Sequence, residues 1–469
     1  MENVKNSVEK FSSSLILLTF LCLKPLFKTF SDKKLPLDKF EQMFYYIRTN
    51  VRLVVNILTE RVILHCDLNN FFASVECYLD PMLRGKNVAV CGSVEERHGI
   101  VLAKNENAKS YGVKTGEAIW EARLKCPDLV CVSPHYDKYI EFSKRVKSIY
   151  DEYTDMVEPF GIDECWLDIT GSLLLFGDKI KIAEEIRERI KKEIGLTISV
   201  GVSFNKILAK LASDIKKPDA VTLIEEKDLK TKVWKLPCYD LLGVGRQTSK
   251  QFRAMGIKTI GDIANTPEEI MKRIFGKSGI TLRNYANGLD FSPVLRESEV
   301  PPVKSVSRGI TCKRDLYSCD EISPVVISLS EKVSHSLRKH GFFATTVRVA
   351  VKDNQLIVKE FQKKLKTPAR AADVLHKNAM ELIKNNYLFH LPVRAVTVFA
   401  GDLVGDKSSY QLCFDENYEQ LDKLEKLDTQ VDLLREKFGA DILIRASTLN
   451  LYERERIKSA FPSFKPLNS

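Results

Sequence analysis

Glu158-Pro159-Phe160-Gly161-Ile162-Asp163-Glu164-Cys165-Trp166-Leu167-Asp168-Ile169-Thr170 is the stretch on which the fold of this chain turns. A Pro and a Gly punctuate its front, and β-branched, aromatic and aliphatic residues follow, so it reads as a tight turn feeding a strand. Two adjacent carboxylates, Asp163 and Glu164, fall at the turn. Neighbours on a strand point to opposite faces, so a flat strand could not aim both at one ligand, whereas a turn can. Adjacent carboxylates repel, and a cation between them, or between one of them and a third carboxylate, relieves that repulsion. The pattern calls for a third acid and a phosphate-bearing substrate. A solvated acidic turn is the bland alternative, and this stretch alone does not exclude it.

Upstream, Val62-Ile63-Leu64-His65-Cys66 reads as a buried strand ending at Asp67, and a helix starts just beyond it with Phe71-Phe72-Ala73-Ser74-Val75-Glu76. An acid at the carboxyl end of a strand, opening onto a helix N-terminus, is a favoured place for ligand chemistry in α/β sheets, which makes Asp67 the candidate third carboxylate. A capping role for Asp67 is disfavoured because Asn69 and Asn70 are better placed to cap. Two short strands at 87–90 and 99–103 follow, then a lysine-bearing helix ending at Tyr111-Gly112 and a helix near 137–154. Beyond the opening turn, a helix at 178–194, a strand at 196–202 and a helix at 204–215 complete a small α/β sheet.

Leu241-Leu242-Gly243-Val244-Gly245-Arg246 fits a helix-hairpin-helix, with a helix leading in and a second running to Met255. Its glycines, Gly243 and Gly245, let the backbone approach a phosphate. A linker over 292–302 precedes a basic module in which residues 301–400 carry 17 Lys/Arg against 8 Asp/Glu, net +9, while 401–469 carry 10 against 13, net −3. Its periodicities give β-α-β-β-α-β, a four-stranded sheet with two helices on one face. Alternation groups Lys304, Arg308 and Arg314 on one face of the first strand, and cations on an open sheet face can lie across a phosphodiester backbone. An amphipathic helix near 416–437 and a polar end, expected to be mobile, close the chain.

A chain of 469 residues with net charge +10 should hold about three domains and take a polyanionic partner, nucleic acid ahead of membrane. The 11 cysteines are odd in number and unpaired in spacing, which points to free thiols in a reducing cytoplasm; metal held by Cys or His is disfavoured. Leu15–Leu23 is apolar but too short to span a bilayer, and residues 1–60 are an extension of unassigned role.

In this order, the motifs resemble the Y-family, or lesion-bypass, DNA polymerases, in their bacterial polymerase IV-like branch. The resemblance runs from about Arg61 to Val404 and is strongest at Ile63-Leu64-His65-Cys66-Asp67-Leu68-Asn69-Asn70-Phe71-Phe72-Ala73-Ser74-Val75-Glu76 and Gly161-Ile162-Asp163-Glu164-Cys165-Trp166-Leu167-Asp168. Ile198–Lys206 and Lys304–Arg308 add support. It implies an α/β (α+β) multidomain right hand. The palm is 61–70 and 137–224 (ferredoxin-like), the fingers 71–136, the thumb 225–298, a linker 299–302, the little finger 303–404, and 405–469 a tail. Asp67, Asp163 and Glu164, with the Leu68 carbonyl, would hold two Mg²⁺ ions, for which Mn²⁺ can substitute. Phe71 and Phe72 would meet the nucleotide, Phe72 as the steric gate against a ribose 2′-hydroxyl, and Lys109 and Lys217 would reach the triphosphate. Primer-template DNA and dNTPs are the implied partners, bound by a monomer through the hairpin and the basic module.

The chain departs from the pattern at Asn69, where an Asp is common, and at Glu106 and Lys109, where many members have Tyr and Arg. Lys109 keeps the charge and loses the bidentate fork. Glu106 would repel phosphate unless it turns away or pairs with a lysine. These departures keep open a second reading, a catalytically weakened DNA-binding relative. Gln411-Leu412-Cys413-Phe414 resembles a shortened peptide that docks on the sliding clamp, through Gln411, Leu412 and Phe414, and adds the clamp as a candidate partner.

Overall fold

A computed structural model describes residues 61–93, 99–299, 303–406, 417–439 and 442–448. The Leu15–Leu23 run, the linker residues 300–302 and the clamp-like peptide at 411–414 lie outside them. The strands are β1 (Ile63–Leu68), β2 (Val88–Cys91), β3 (Val101–Lys104), β4 (Val130–Val132), β5 (Val157–Pro159) and β6 (Glu164–Asp168), then β7 (Ile198–Ser203), β8 (Val221–Leu223), β9 (Ser305–Leu316), β10 (Phe342–Asp353), β11 (Val358–Ala369) and β12 (Val393–Gly405). The longer helices are α1 (Phe71–Leu79), α2 (Glu106–Ser110), α3 (Ile119–Lys125), α4 (Tyr136–Asp151), α5 (Lys179–Arg189) and α6 (Lys206–Ile215), then α7 (Arg246–Ala254), α8 (Ile260–Asn265), α9 (Glu268–Ala286), α10 (Cys319–Lys339), α11 (Ala372–Asn386) and α12 (Tyr418–Phe438). No helix among the described residues is long and apolar enough to cross a membrane. The cysteines among them are free thiols.

The described residues form two compact units. The first gathers 61–69, Lys147–Glu193 and Thr197–Arg296. Its sheet runs β5-β6-β1-β7-β8, with β1 antiparallel to both neighbours. All six residues of β1 are buried, as a near-continuous apolar run requires of a strand covered on both faces. The quoted stretch is a hairpin rather than a single strand behind a turn. Glu158 and Pro159 belong to the edge strand β5, where a residue lacking an N–H is tolerated, and Glu164 already opens β6. Helix α6 packs on the sheet so closely that a Cβ on Gly201 of β7 would lie 1.9 Å from the Ala209 carbonyl oxygen and 2.4 Å from the Ser213 nitrogen. Its other face, Ile207, Leu208 and Leu211, joins a helical core with Phe252, Ile260, Ile263 and Met271. The predicted hairpin is present there, with one correction: a single 3₁₀ turn, Cys238–Asp240, leads into it instead of a helix.

The second unit gathers Asn70–Val146, Ile194–Leu196 and the chain from Glu297. Its small sheet β3-β2-β4 closes over Ala89, Val101, Ala108, Ile119 and Cys126; the three-residue β4 and helix α3 were not anticipated from the sequence. The basic module is a sheet β11-β10-β12-β9 with α10 and α11 against one face, the predicted β-α-β-β-α-β. The amphipathic helix expected near 416–437 is present as α12, and the polar end beyond residue 448 lies outside the described residues. Helix α12 is bound to the module's helices by Arg338 to Asp428 at 3.1 Å and to Asp432 at 2.7 Å, and by Arg370 to Glu425 at 2.7 Å. Arg445 then reaches back to Asp373 at 2.9 Å and Glu331 at 2.7 Å. Helix α11 begins after Ala371, which has no side chain to cap it, and Asp428 of α12 accepts the orphan Ala372 N–H at 2.8 Å. Asp428→Ala should therefore lower stability by about 1–3 kcal/mol, through a lost cap and the loss of one of the two carboxylates on Arg338, read in a urea melt of the full chain.

Candidate active site

Antiparallel pairing of β1 and β6 sets Asp67 directly opposite Glu164. Residues paired across strands share a face, as do residues two apart along one strand, so His65 joins them. His65, Asp67 and Glu164 each offer a ligand atom within 4.8 Å of the others, a grouping that could hold a metal ion. His65 Nε2 lies 3.3 Å from Glu164 Oε2, and Nδ1 lies 2.8 Å from Ser213 Oγ. Burial lowers the His65 pKa, against the opposing pull of the Glu164 carboxylate. Asp163, last residue of the turn, lies outside that ligand cluster, while its carbonyl accepts the Leu68 N–H at 3.1 Å and so ties the turn to the end of β1. Burial, reinforced by the charges of Asp67 and Glu164, pushes the Asp163 carboxyl up to about 6.

Two lysines answer this negative charge. Lys210 Nζ lies 3.0 Å from both Asp67 Oδ2 and Glu164 Oε2 and 3.5 Å from Asp214. Lys217 Nζ lies 2.8 Å from the same Asp67 oxygen and 2.8 Å from Asp214. Burial works against the Lys210 and Lys217 charges, yet the surrounding carboxylates outweigh it and raise both pKa values. Burial likewise opposes ionisation of Glu164, but His65 and Lys210 hold its carboxyl well below the usual range. Cationic groups thus already bridge the hard oxygen donors, which is the charge and ligand type that a divalent ion would satisfy. Asn69 explains its own departure: its amide donates to Ser199 at 2.9 Å and accepts the Asp219 N–H at 2.8 Å, pinning the turn that follows Lys217.

In the second unit, the Phe72 ring stacks on Tyr139 with centroids 4.1 Å apart and planes 11° from parallel. Phe71 is buried, Phe72 only partly. Tyr139 is itself fixed by its hydroxyl on the buried Glu76 carboxylate, which also meets His135 Nδ1 at 3.0 Å. Asn70 stands at the N-cap position of α1 in the left-handed region, φ 49°, but does not cap it with its side chain as expected. Its amide donates to Glu106 Oε1 at 2.9 Å instead, and Lys109 Nζ meets the same oxygen at 3.1 Å. Burial opposes the Glu106 charge, and Asn70 and Lys109 prevail, so its pKa is lowered and its repulsion is compensated locally.

The other sequence candidates fall in separate places. Gly243 takes φ +93°, a conformation that disfavours a side chain, and Gly245 is the N-cap of α7. Lys304 is exposed just before β9. Arg308 and Arg314 share the face of β9 that carries α10: Arg308 reaches Ser336 at 2.9 Å and Arg314 reaches Glu321 at 2.8 Å. Ile310, Cys312 and Leu316, which alternate with them in the core, were the signal for this. The opposite face bears Arg348, stacked over Phe399 at 4.0 Å, together with Lys364 and Lys352, cations that sequence reading passed over.

Comparison with known proteins now carries weight. Residues 66–214 match the impB/mucB/samB family, residues 303–413 match the C-terminal domain of that family, and residues 239–290 match the thumb domain described for DNA polymerase-iota. A DNA polymerase IV of Acetivibrio thermocellus is 50% identical over 380 residues, covering 81% of this chain and 95% of the relative. The chain belongs to the Y-family DNA polymerases. A DNA polymerase IV of Pelotomaculum thermopropionicum is 37% identical, covering 82% of this chain and 95% of its own length, and DNA polymerase IV 1 of Bacillus subtilis is 34% identical, covering 86% and 96%. A solved Y-family DNA polymerase chimera superposes with a TM-score of 0.66 at 25% identity, over 73% of this chain and 99% of the chimera. Y-family polymerases depend on metal ions, and the acidic cluster on β1 and β6 is a site of the required chemistry.

Proposed function

We propose that Asp67, Asp163 and Glu164, with the Leu68 carbonyl, hold two Mg²⁺ ions for nucleotidyl transfer to a primer 3′-hydroxyl. The protein is a DNA-directed DNA polymerase of the lesion-bypass class, acting on primer-template DNA and dNTPs. The observation that carries the metal reading is the pairing of Asp67 with Glu164 across β1 and β6, with ammonium groups spanning their oxygens. When bound, such ions lower the pKa of the attacking hydroxyl and neutralise charge on the departing pyrophosphate. The protein's own part is to supply ionised oxygen donors and to keep lysines within reach of the phosphates. Asp163 must give up its proton to serve, and cation binding between the acids favours that. Lys217, on the turn pinned by Asn69, is suited to exchange Asp67 for a triphosphate oxygen, and Lys109 to exchange Glu106 for another.

In this reading the five-stranded sheet is the palm and the 239–290 helices are the thumb. The β3-β2-β4 sheet with α1 belongs to the fingers, and the β-α-β-β-α-β module is the little finger. DNA would be held by the hairpin glycines, by Lys304, and by the open-face cations Arg348, Lys352 and Lys364, with Arg308 and Arg314 as edge contacts. The weakened-relative alternative drew on Glu106, and the Asn70–Glu106–Lys109 set removes most of that support. Primer extension with Mg²⁺ or Mn²⁺ tests the whole reading; binding of primer-template without nucleotide addition would defeat it.

Phe72 is assigned the sugar gate. Phe72→Ala should raise ribonucleotide incorporation by about 10–200-fold relative to deoxynucleotides, the scale of one steric contact in a pocket. Competitive single-nucleotide insertion checks this, and an unchanged sugar preference would remove the role.

A further inference from the structure

Lys210 is not among the residues that the metal and nucleotide reading requires, yet it is the ammonium that joins the two acids paired across β1 and β6. Its ammonium spans Asp67 and Glu164 at 3.0 Å each, and its side chain is 13% exposed. Lys217 shares the Asp67 oxygen but differs in two respects. It lies beyond the end of α6, and its side chain is 28% exposed. Lys210 is fixed within the helix at the point where the helix touches the sheet, because Ala209 and Ser213 on either side meet the backbone of Gly201. Such a backbone cannot retreat, so the ammonium is held over the two acids, and only its side-chain torsions can move it away.

We propose that Lys210 is a built-in counter-ion of the carboxylate cluster, an ammonium that competes with divalent ions for Asp67 and Glu164 and makes metal loading depend on an arriving triphosphate. The inference rests on the metal-binding reading above. A divalent ion between those oxygens would lie within a few ångström of a fixed positive charge, where repulsion in a partly buried site is strong. The triphosphate brings negative charge and offers Lys210 and Lys217 other partners, so nucleotide and metal binding reinforce each other, reciprocally by linkage. The acids are meanwhile held in register by a charge the chain carries itself.

The test is Mn²⁺ binding to the full chain without DNA, by paramagnetic titration, with and without a dNTP analogue in which methylene replaces the oxygen bridging the α and β phosphates. Lys210→Met, which keeps the bulk and removes the charge, should bind Mn²⁺ at least about tenfold tighter than wild type in the absence of nucleotide. Lys210→Arg should stay near wild type, and the tightening by nucleotide should shrink in Lys210→Met. Lys210→Gln gives the same comparison if Lys210→Met does not fold. Asp67→Asn separates the two levels of the inference. If Asp67→Asn binds Mn²⁺ as well as wild type, the metal reading fails and the counter-ion role with it. If Asp67→Asn loses binding while neither neutral Lys210 variant binds tighter than wild type, the counter-ion role is overturned and the metal reading stands.

Discussion

Asp67→Asn should abolish primer extension, with a loss of at least about 10³-fold in kcat, while binding of primer-template is retained. The substitution keeps the shape of the side chain and its place in β1, so the strand pairing with β6 and β7 survives. What disappears is the charge that two lysines and Glu164 are arranged around. An amide is a poor ligand for a hard divalent ion, and a metal clamp on phosphoryl transfer is worth several kcal/mol, which sets the scale of the loss. The DNA contacts proposed above lie on other residues, so the dissociation constant should change little. Steady-state extension beside a filter-binding titration decides it. Retention of more than about a tenth of the wild-type rate would mean that Asp67 is a structural acid.

Gly201→Ala should be the most damaging single methyl group in the first unit. The added Cβ would lie 1.9 Å from the Ala209 carbonyl oxygen, 2.4 Å from the Ser213 nitrogen and 2.9 Å from the Ala212 Cβ. Two of these are backbone atoms of α6 and cannot swing aside, so the helix must lift from the sheet. Overpacking of this kind costs about 3 kcal/mol or more. The displacement would also withdraw Lys210 and Ser213 from Glu164 and His65, so activity should fall before the unit unfolds. A thermal melt and extension at a temperature well below the midpoint check both parts; a stable, fully active variant would mean that α6 has room to spare.

Much of this was legible before any coordinates. Asp67 was found because an apolar run ended on an acid before a helix, and the β-α-β-β-α-β module because its periods alternate cleanly. Misses have physical causes. His65 lay inside the apolar run and looked like strand filling, because nothing in one strand reveals which acids its neighbours will bring. Lys210 carried no signal of its own within the helix at 204–215, since only the packing of α6 on β7 turns it inward. Pro159 was read as a turn marker, although an edge strand accepts it. Arg308 and Arg314 were grouped together on one strand face, but the choice between open and covered face needed the placement of α10. The role of Asn69 was illegible because its two partners come from distant segments.

The brace formed by α12 bears on the order in which the molecule can be completed. Translation delivers the sheet, α10 and α11 before Asp428 emerges, so the nascent β-α-β-β-α-β module waits with Arg338 unanswered and α11 uncapped. Domains generally fold as units while synthesis proceeds. This one contains a late-arriving part, and a chain released before Asp428 would lack its final brace.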